Sequence, residues 1–184
     1  QNYLADQITV PRFSTDLPEF AEAEKAVQAR IDHLMGIKGK KSVDSIHKEL
    51  GHIMWEYVGM GRTEEGLKTA LKLLKDIRKE FETNLFIPGS TEGVNIELEK
   101  ALRLNDFITM GELIAYDALN RNESCGGHFR EEYQTEEGEA KRDDENYFYV
   151  SCWEYQGSDD VAPVLYKEPL VYEAIKVQTR NYKS

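Results

Sequence analysis

Apolar side chains return at helical spacing between residues 67 and 81, and this repeat constrains the fold more than any other feature of the chain. The stripe consists of Leu67, Ala70, Leu71, Leu74, Ile77 and Phe81. Lysine and arginine side chains lie mostly on the other faces of the same stretch. A helix with one apolar face must bury that face against neighbouring elements, so this helix requires partners around it.

Two more helices are predicted before this one. The first begins at Pro18, after an acidic residue, because proline is favoured in the first turn of a helix. Its apolar positions are Phe20, Ala23, Val27, Ile31 and Leu34. The second begins at Ser42 or Ser45 and ends at the Gly-Met-Gly sequence of residues 59–61. Thr63 is predicted to cap the third helix, with two glutamates behind it at the positive helix end.

A fourth helix is predicted to begin between Thr91 and Asn95 and to continue to about residue 120. It is apolar on more than one face, so we expect it to be substantially buried. After Ser124 the helical spacing stops at a Gly-Gly pair. The aromatic and β-branched run of residues 147–155 then favours an extended strand.

These segments predict a mainly α fold: a three-helix bundle of the spectrin-repeat kind, an additional long helix, and an extended, partly β C-terminal segment. The predicted organisation has three parts. Residues 1–17 form an extended lead-in, residues 18–123 form the helical bundle, and residues 124–184 form an acidic loop and the extended C-terminal segment.

The charge of the chain argues against a nucleic-acid partner. The formal net charge is −11, whereas binding to a phosphate backbone requires clustered Lys and Arg. Much of the acidity lies in residues 123–145, which predicts either a solvated loop or a docking surface for a basic partner. No apolar run approaches the roughly 20 residues that cross a membrane, and no signal peptide is evident at residue 1.

No catalytic, cofactor-binding or metal-binding residue is predicted in this chain. The two cysteines, Cys125 and Cys152, lack metal-ligand spacing, so free thiols are expected. His47 and His52 lie five residues apart, which places them on different helix faces and argues against a zinc site. Cys125 and His128 leave open a nucleophile and base, or two metal ligands. A carboxylate–guanidinium pair of Glu123 with Arg121 or Arg130 is the more natural expectation for the same segment.

The sequence R-N-E-S-C-G-G-H-F-R of residues 121–130, followed by R-D-D-E-N at residues 142–146, resembles a motif of a known family. It is similar to the segment near the C-terminus of the flavoprotein subunit of succinate dehydrogenase and fumarate reductase; L-aspartate oxidase carries a related version. Residues 54–67 resemble the family's turn between two helices, and the resemblance extends from about Pro18 to Tyr182. Cys125 departs from the pattern, because many members have Arg there.

The resemblance implies that the catalytic work is done elsewhere. In the family, the FAD-binding and dicarboxylate-binding residues belong to preceding domains, so FAD is expected in the parent subunit and this chain alone is expected to be inactive. The implied role is a C-terminal helical domain that packs on the FAD-binding portion of the same flavoprotein and helps to dock the iron–sulfur subunit. Arg121, Glu123, His128 and Arg130 match the motif and are the candidate structural or interface residues.

The family resemblance also implies a place in the cell. The parent complex is expected on the inner, cytoplasmic face of the bacterial cytoplasmic membrane, held there only indirectly through a membrane anchor. The direction of the reaction, succinate oxidation or fumarate reduction, is not encoded in these residues. Two alternatives stay open at this point: a stand-alone helical interaction module, and a small enzyme that uses Cys125 and His128.

Overall fold

The computed structural model describes residues 14–158 and 161–178, so most of the predicted lead-in of residues 1–17 lies outside the described residues. The helices are α1 (Pro18–Gly36), α2 (Val43–Val58), α3 (Glu64–Asn84), α4 (Ile96–Asn120) and the short α5 (Asp144–Tyr147). The strands are β1 (Lys41–Ser42), β2 (Leu85–Phe86), β3 (Tyr149–Glu154) and β4 (Val164–Pro169). β1 pairs with β2 in parallel, and β3 pairs with β4 antiparallel.

Side-chain caps set the starts of the three central helices. The Ser42 hydroxyl accepts a hydrogen bond from the backbone N–H of Ser45 at 3.2 Å, so the second helix starts after Ser42. The predicted cap Thr63 is confirmed, since its hydroxyl accepts from the N–H of Gly66 at 3.0 Å. Asn95 caps α4 in the same way. Each cap satisfies one backbone donor that the helix itself leaves unpaired.

The core is a three-helix bundle of α2, α3 and α4. Within the predicted stripe of α3, all residues except the half-buried Leu71 are buried. They pack against buried residues of both neighbours, such as Leu50 of α2 and Ile108 of α4. Gly111 lets α2 and α4 approach closely, because a Cβ there would lie 3.1 Å from the sulfur of Met54. The mainly α fold is therefore confirmed.

The helix that stands outside this bundle is α1, and the fourth helix completes the bundle instead. Leu34, near the end of α1, is its one buried residue among those described. Phe20 and Val27 are exposed, although they belong to the same predicted stripe. The Arg30 guanidinium contacts α4 by donating to the carbonyl of Leu102 at 3.3 Å. The outer half of α1 thus has no neighbour in the described structure that could cover its apolar side chains.

The expectation that α4 is substantially buried holds for one face of the helix only. One stripe is buried, through Ala101, Leu104, Ile108, Ala115 and Ala118. Phe107, Met110 and Ile114 are exposed on another face of the same helix. The physical reason is that only α2 and α3 flank α4 along most of its length, so its remaining apolar side faces solvent.

The extended, partly β C-terminal segment is confirmed as a two-stranded hairpin of β3 and β4. It is attached to α4 through Trp153, whose indole N–H donates to the carboxylate of Asp117 at 2.7 Å. The same indole ring meets the Tyr116 ring edge-on, with centroids 5.0 Å apart. The hairpin therefore lies against the C-terminal half of α4 and forms one wall of the candidate site.

Within the described residues, no helix combines the length and the hydrophobicity that a membrane span needs.

Replacing Leu74 by alanine should lower the free energy of unfolding by about 2–5 kcal/mol, because Leu74 is fully buried between three helices and its loss leaves a cavity. The matched control is Val27→Ala on exposed α1, which should change it by about 0.5 kcal/mol or less. Urea denaturation followed by circular dichroism measures both. Equal losses in the two variants would show that α1 belongs to the cooperative core.

Candidate functional site

The motif of residues 121–130 forms a loop that folds back on the C-terminal end of α4. Ser124 is fully buried, and its hydroxyl donates to the carbonyl of Arg130 at 3.1 Å and accepts from the N–H of Arg130 at 2.9 Å. Cys125 and His128 exchange two backbone hydrogen bonds of 2.8 and 3.0 Å. The turn between them uses Gly126 at φ +59°, a left-handed conformation that glycine adopts without strain. Ser124 thus closes the loop on itself.

Glu123 joins the two halves of the motif. Its carboxylate is only 3% exposed, and one oxygen accepts from the Arg121 guanidinium at 3.0 Å. The other oxygen accepts from the backbone N–H of Asp143 at 2.9 Å. The other terminal nitrogen of Arg121 donates to the carbonyls of Tyr147 and Tyr149 at 3.1 Å each. Of the two pairs expected for Glu123, the one with Arg121 is therefore present.

Arg130 is buried at 1% exposure and turns inward, toward the end of α4. One terminal nitrogen donates to the carbonyls of Ala118 and Leu119 at 3.0 and 3.3 Å. The last carbonyls of a helix have no partner within the helix, and the negative end of the helix dipole lies there. A guanidinium suits this position because its positive charge opposes the helix dipole and its several donors, held in a planar fork, can pair with the carbonyls.

Glu132 links Arg130 to a second helix, α3. One carboxylate oxygen accepts from the Arg130 Nε at 3.1 Å, and the other accepts from the backbone N–H of Glu64, the first residue of α3, at 2.5 Å. Burial alone would raise the pKa of Glu132, but hydrogen bonds from backbone N–H groups and from Arg130 outweigh it and lower the pKa. The carboxylate is therefore ionised where the positive end of α3 favours an anion.

His128 lies between two arginines and uses both ring nitrogens. The Arg62 guanidinium donates to Nδ1 at 2.8 Å, and Nε2 faces the carbonyl of Arg121 at 2.9 Å. Arginine has no acceptor, so Nδ1 must accept and Nε2 must carry the proton. Burial lowers the pKa of His128 most strongly; the positive charges of nearby arginines add to this, and the hydrogen bond to Arg121 opposes it. The imidazole is held neutral.

Arg62 is the residue of this site that the sequence argument did not single out. Its Nε donates to the carbonyl of Val58, at the end of α2. Its backbone pairs with the motif loop, since its N–H donates to Phe129 and its carbonyl accepts from Glu131 at 2.8 Å. The turn of residues 58–62 was part of the family resemblance, so that resemblance was the available signal. The sequence could not show that Arg62 meets the motif 66 residues later.

An open cleft of about 480 Å³ lies between the motif, the end of α4 and β3. Its polar lining includes Arg62, Arg121, His128 and Asp117, and Trp153 forms part of its apolar wall. Burial lowers the pKa of Arg62 most, the positive charge of Arg130 adds to this, and the negative charge of Asp117 opposes it. Cations and an anion therefore face the cleft together.

The geometry offers no activated nucleophile at the cleft. Cys125 and His128 contact each other through backbone hydrogen bonds, and both nitrogens of the imidazole already have partners. The thiols of Cys125 and Cys152 are free, as expected. Within residues 14–158 and 161–178, no cluster of three or more His, Cys, Asp or Glu side chains could hold a metal ion. The hydrogen bonds of this site join the motif loop to the end of α4 and to the turn before α3.

Comparison with known families assigns the chain. Residues 47–182 match the model for the family described as fumarate reductase flavoprotein C-term, which covers more than half of the chain. The chain belongs to this family. Both halves of the motif and the turn that contains Arg62 lie within the matched residues. The recognition made from the motif residues is thereby confirmed.

Individual relatives carry names of the same kind. An uncharacterized FAD-dependent oxidoreductase of Methanocaldococcus jannaschii is 31% identical over 61% of this chain and 20% of its own length. An L-aspartate oxidase of Nicotiana tabacum is 37% identical over 48% of this chain and 13% of its own length. The fumarate reductase flavoprotein subunit of Proteus vulgaris is 29% identical over 78% of this chain and 24% of its own length. The chain thus spans at most about a quarter of these relatives.

A solved structure shares the fold. The E. coli quinol fumarate reductase structure superimposes with a TM-score of 0.70 at 21% identity, and it covers 94% of this chain and 28% of the E. coli chain. At that identity the likeness concerns the fold alone. It shows that the fold of most of this chain recurs in the E. coli structure.

Replacing Arg130 by methionine should lower the free energy of unfolding by about 2–4 kcal/mol, because two buried carbonyls and Glu132 lose their donor. The matched control is Arg103→Met on α4, which breaks an exposed pair with Glu99 and should cost about 0.5 kcal/mol or less. Urea denaturation of both variants measures these free energies of unfolding. A loss below about 1 kcal/mol for Arg130→Met would contradict the bracing role.

The lowered pKa of His128 predicts a loss of stability in mild acid. As the pH falls, the unfolded chain takes up a proton at the ordinary value of 6.5, before folded His128 does. The stabilising contribution is therefore complete above about pH 6.5 and is lost as the pH falls toward the folded pKa. Melting temperatures at about pH 7.5 and 5.5 should fall more for the unmodified chain than for His128→Gln. Parallel curves for the two proteins would refute the assignment.

Proposed function

We propose that this chain is the C-terminal helical domain of a flavoprotein subunit that interconverts succinate and fumarate in respiratory electron transfer. The observation that carries the proposal is the family match over residues 47–182, which contains the complete motif folded at the end of α4. The chain spans at most about a quarter of the named relatives, so the flavin-binding portion is proposed to precede it in the parent protein.

Within the parent, the motif residues act as a brace. Glu123 and Arg130 are buried and bound to internal partners, so they hold the loop in place rather than touching a neighbour. Arg121 and His128 are half-buried and line the cleft together with Arg62. In this proposal, a neighbouring domain or subunit can meet the motif only at the cleft.

The remaining roles are carried over as parts of the same proposal. FAD is bound by the preceding portion of the flavoprotein, and an iron–sulfur subunit docks beside it with help from this domain. The complex would then lie at the inner face of the bacterial cytoplasmic membrane, held indirectly through its anchor. The named relatives support a flavoprotein parent, since their names include an FAD-dependent oxidoreductase and fumarate reductase flavoprotein subunits.

Expression of the 184-residue chain and of the complete parent protein tests this function. The purified chain should be colourless, whereas the parent should carry flavin and oxidise succinate with an artificial electron acceptor. In the parent, Arg130→Met should lower the melting temperature, and Arg103→Met serves as the control on an exposed ion pair. Stoichiometric FAD that stays with the isolated chain through gel filtration would sink the proposal, and so would a parent protein without flavin.

A further inference from the structure

Arg62 differs from the other poorly exposed arginines of the described chain in its partners. Four arginine side chains that are at most 21% exposed each pair with a carboxylate at 2.5–3.1 Å: Arg78 with Glu112, Arg121 with Glu123, Arg130 with Glu132 and Arg142 with Asp144. Arg62 is half-buried, yet its guanidinium bonds to two neutral acceptors, the carbonyl of Val58 and the imidazole of His128. A charge withdrawn from water is stabilised by an opposite charge in contact with it, so Arg62 lacks a counter-ion among these contacts.

The unpaired part of this guanidinium faces the cleft of about 480 Å³, which Arg62 lines. Its Nε and one terminal nitrogen are engaged, whereas the second terminal nitrogen, Nη2, donates to no described residue. No enclosed side-chain nitrogen or oxygen of the described residues lacks a hydrogen-bond partner, so Nη2 is open to solvent. Burial lowers the pKa of Arg62 most, and the positive charge of Arg130 adds to this. An anion at Nη2 would offset both effects.

Asp117 supplies an open acceptor in the same cleft. Its Oδ1 accepts from the indole N–H of Trp153 at 2.7 Å, and Oδ2 has no hydrogen-bond partner within residues 14–158 and 161–178. Asp117 and Arg62 form no ion pair with each other in that part of the chain, although they are close enough for the carboxylate to favour the charged form of Arg62. The cleft therefore presents an open donor and an open acceptor that do not satisfy each other.

The remaining walls are largely apolar or aromatic and come from α4 and β3; they include Leu113, Ile114, Ala118, Tyr149 and Trp153. Trp153 is held in place by its bond to Asp117 and by the edge-on contact with Tyr116, so this wall is preformed. Sites for small molecules are usually preformed apolar clefts of about 300–1,000 Å³ in which a few polar groups fix the orientation of the ligand. The cleft has this size and this composition.

We infer that the cleft binds a free α-amino acid with an apolar side chain, whose carboxylate meets Arg62 and whose ammonium meets Asp117. An α-amino acid carries both charges on neighbouring atoms, so it pairs with both open groups at once. A plain carboxylate leaves Asp117 unpaired, and a dicarboxylate adds a second negative charge beside it. A carboxylate side chain of a docked protein lacks the neighbouring ammonium. This inference goes beyond the proposed function, because it assigns to a ligand the cleft that a neighbouring domain could otherwise meet.

Binding is measured by calorimetric titration and by the fluorescence of Trp153. The Trp55→Phe background is used, because Trp55 is 79% exposed and would add its own emission. The probes are L-leucine, leucinamide, which lacks the carboxylate, and 4-methylpentanoate, which lacks the ammonium. L-leucine should bind about tenfold or more tightly than either analogue, since each analogue loses a charge-assisted contact. Equal affinities of L-leucine and 4-methylpentanoate would overturn the inference, and so would the absence of any saturable signal with L-leucine.

Two variants assign the binding to the cleft. Asp117→Asn keeps an oxygen for the indole of Trp153 but removes the charge, so it should weaken L-leucine by about tenfold and tighten 4-methylpentanoate. Arg62→Gln keeps amide donors but removes the cation, so it should weaken both ligands by about tenfold or more. Arg103→Met, in an exposed pair with Glu99, is the control and should change neither affinity. Circular dichroism shows whether each variant is folded. Unchanged L-leucine affinity in folded Asp117→Asn would overturn the site, whatever the result for Arg62→Gln.

The same titration of the complete parent protein tests whether the cleft stays open there. L-leucine should bind the parent and the 184-residue chain with the same affinity. Binding to the chain alone would overturn the inference, because a neighbouring domain would then cover the cleft. The flavin content of the same parent samples tests the proposed function separately. A colourless parent that binds L-leucine would reject that function and keep the site.

Discussion

The site depends on the buried contact of Arg130 with the end of α4. Four carbonyls at the end of a helix lack partners, and the end of α4 is covered by the motif loop instead of by water. Placing a guanidinium there satisfies two carbonyls and opposes the negative end of the helix dipole. Glu132 then balances the guanidinium and reaches the positive start of α3. Negative and positive groups thus alternate from the end of α4, through Arg130 and Glu132, to the start of α3.

Burying an arginine costs free energy unless its charge and its donors are paired. The rest of the motif holds the partners of Arg130 in place. Ser124 fixes the backbone of Arg130 through two hydrogen bonds, and Glu123 fixes the loop from the other side through Asp143. His128 must stay neutral in this setting, because Nδ1 accepts from Arg62 and three arginines surround it. The motif residues therefore support one another, which explains why they occur as a block in the sequence.

Local features of the fold could be predicted from the sequence because their causes are local. The cap Thr63 and the stripe of α3 depend on neighbours within a few turns, and both were identified correctly. The pair of Arg121 and Glu123 spans two residues and was also expected. By contrast, Arg130 reaches the carbonyls of Ala118 and Leu119 at the end of α4, and His128 pairs with Arg62, which lies 66 residues earlier. Sequence spacing alone indicates neither contact.

The expectation that α4 is substantially buried failed on one face for a different reason. Apolar residues on several faces of a helix indicate that several faces are to be buried, but the sequence does not say which molecule or segment buries them. In this chain α2 and α3 cover one stripe, and Phe107, Met110 and Ile114 stay exposed. α1 shows the same pattern, with an apolar stripe that meets the bundle only at its end. The outer half of α1 and this face of α4 therefore both lack a neighbour among the described residues. The described residues bury only part of the apolar surface that the helical periodicity indicates.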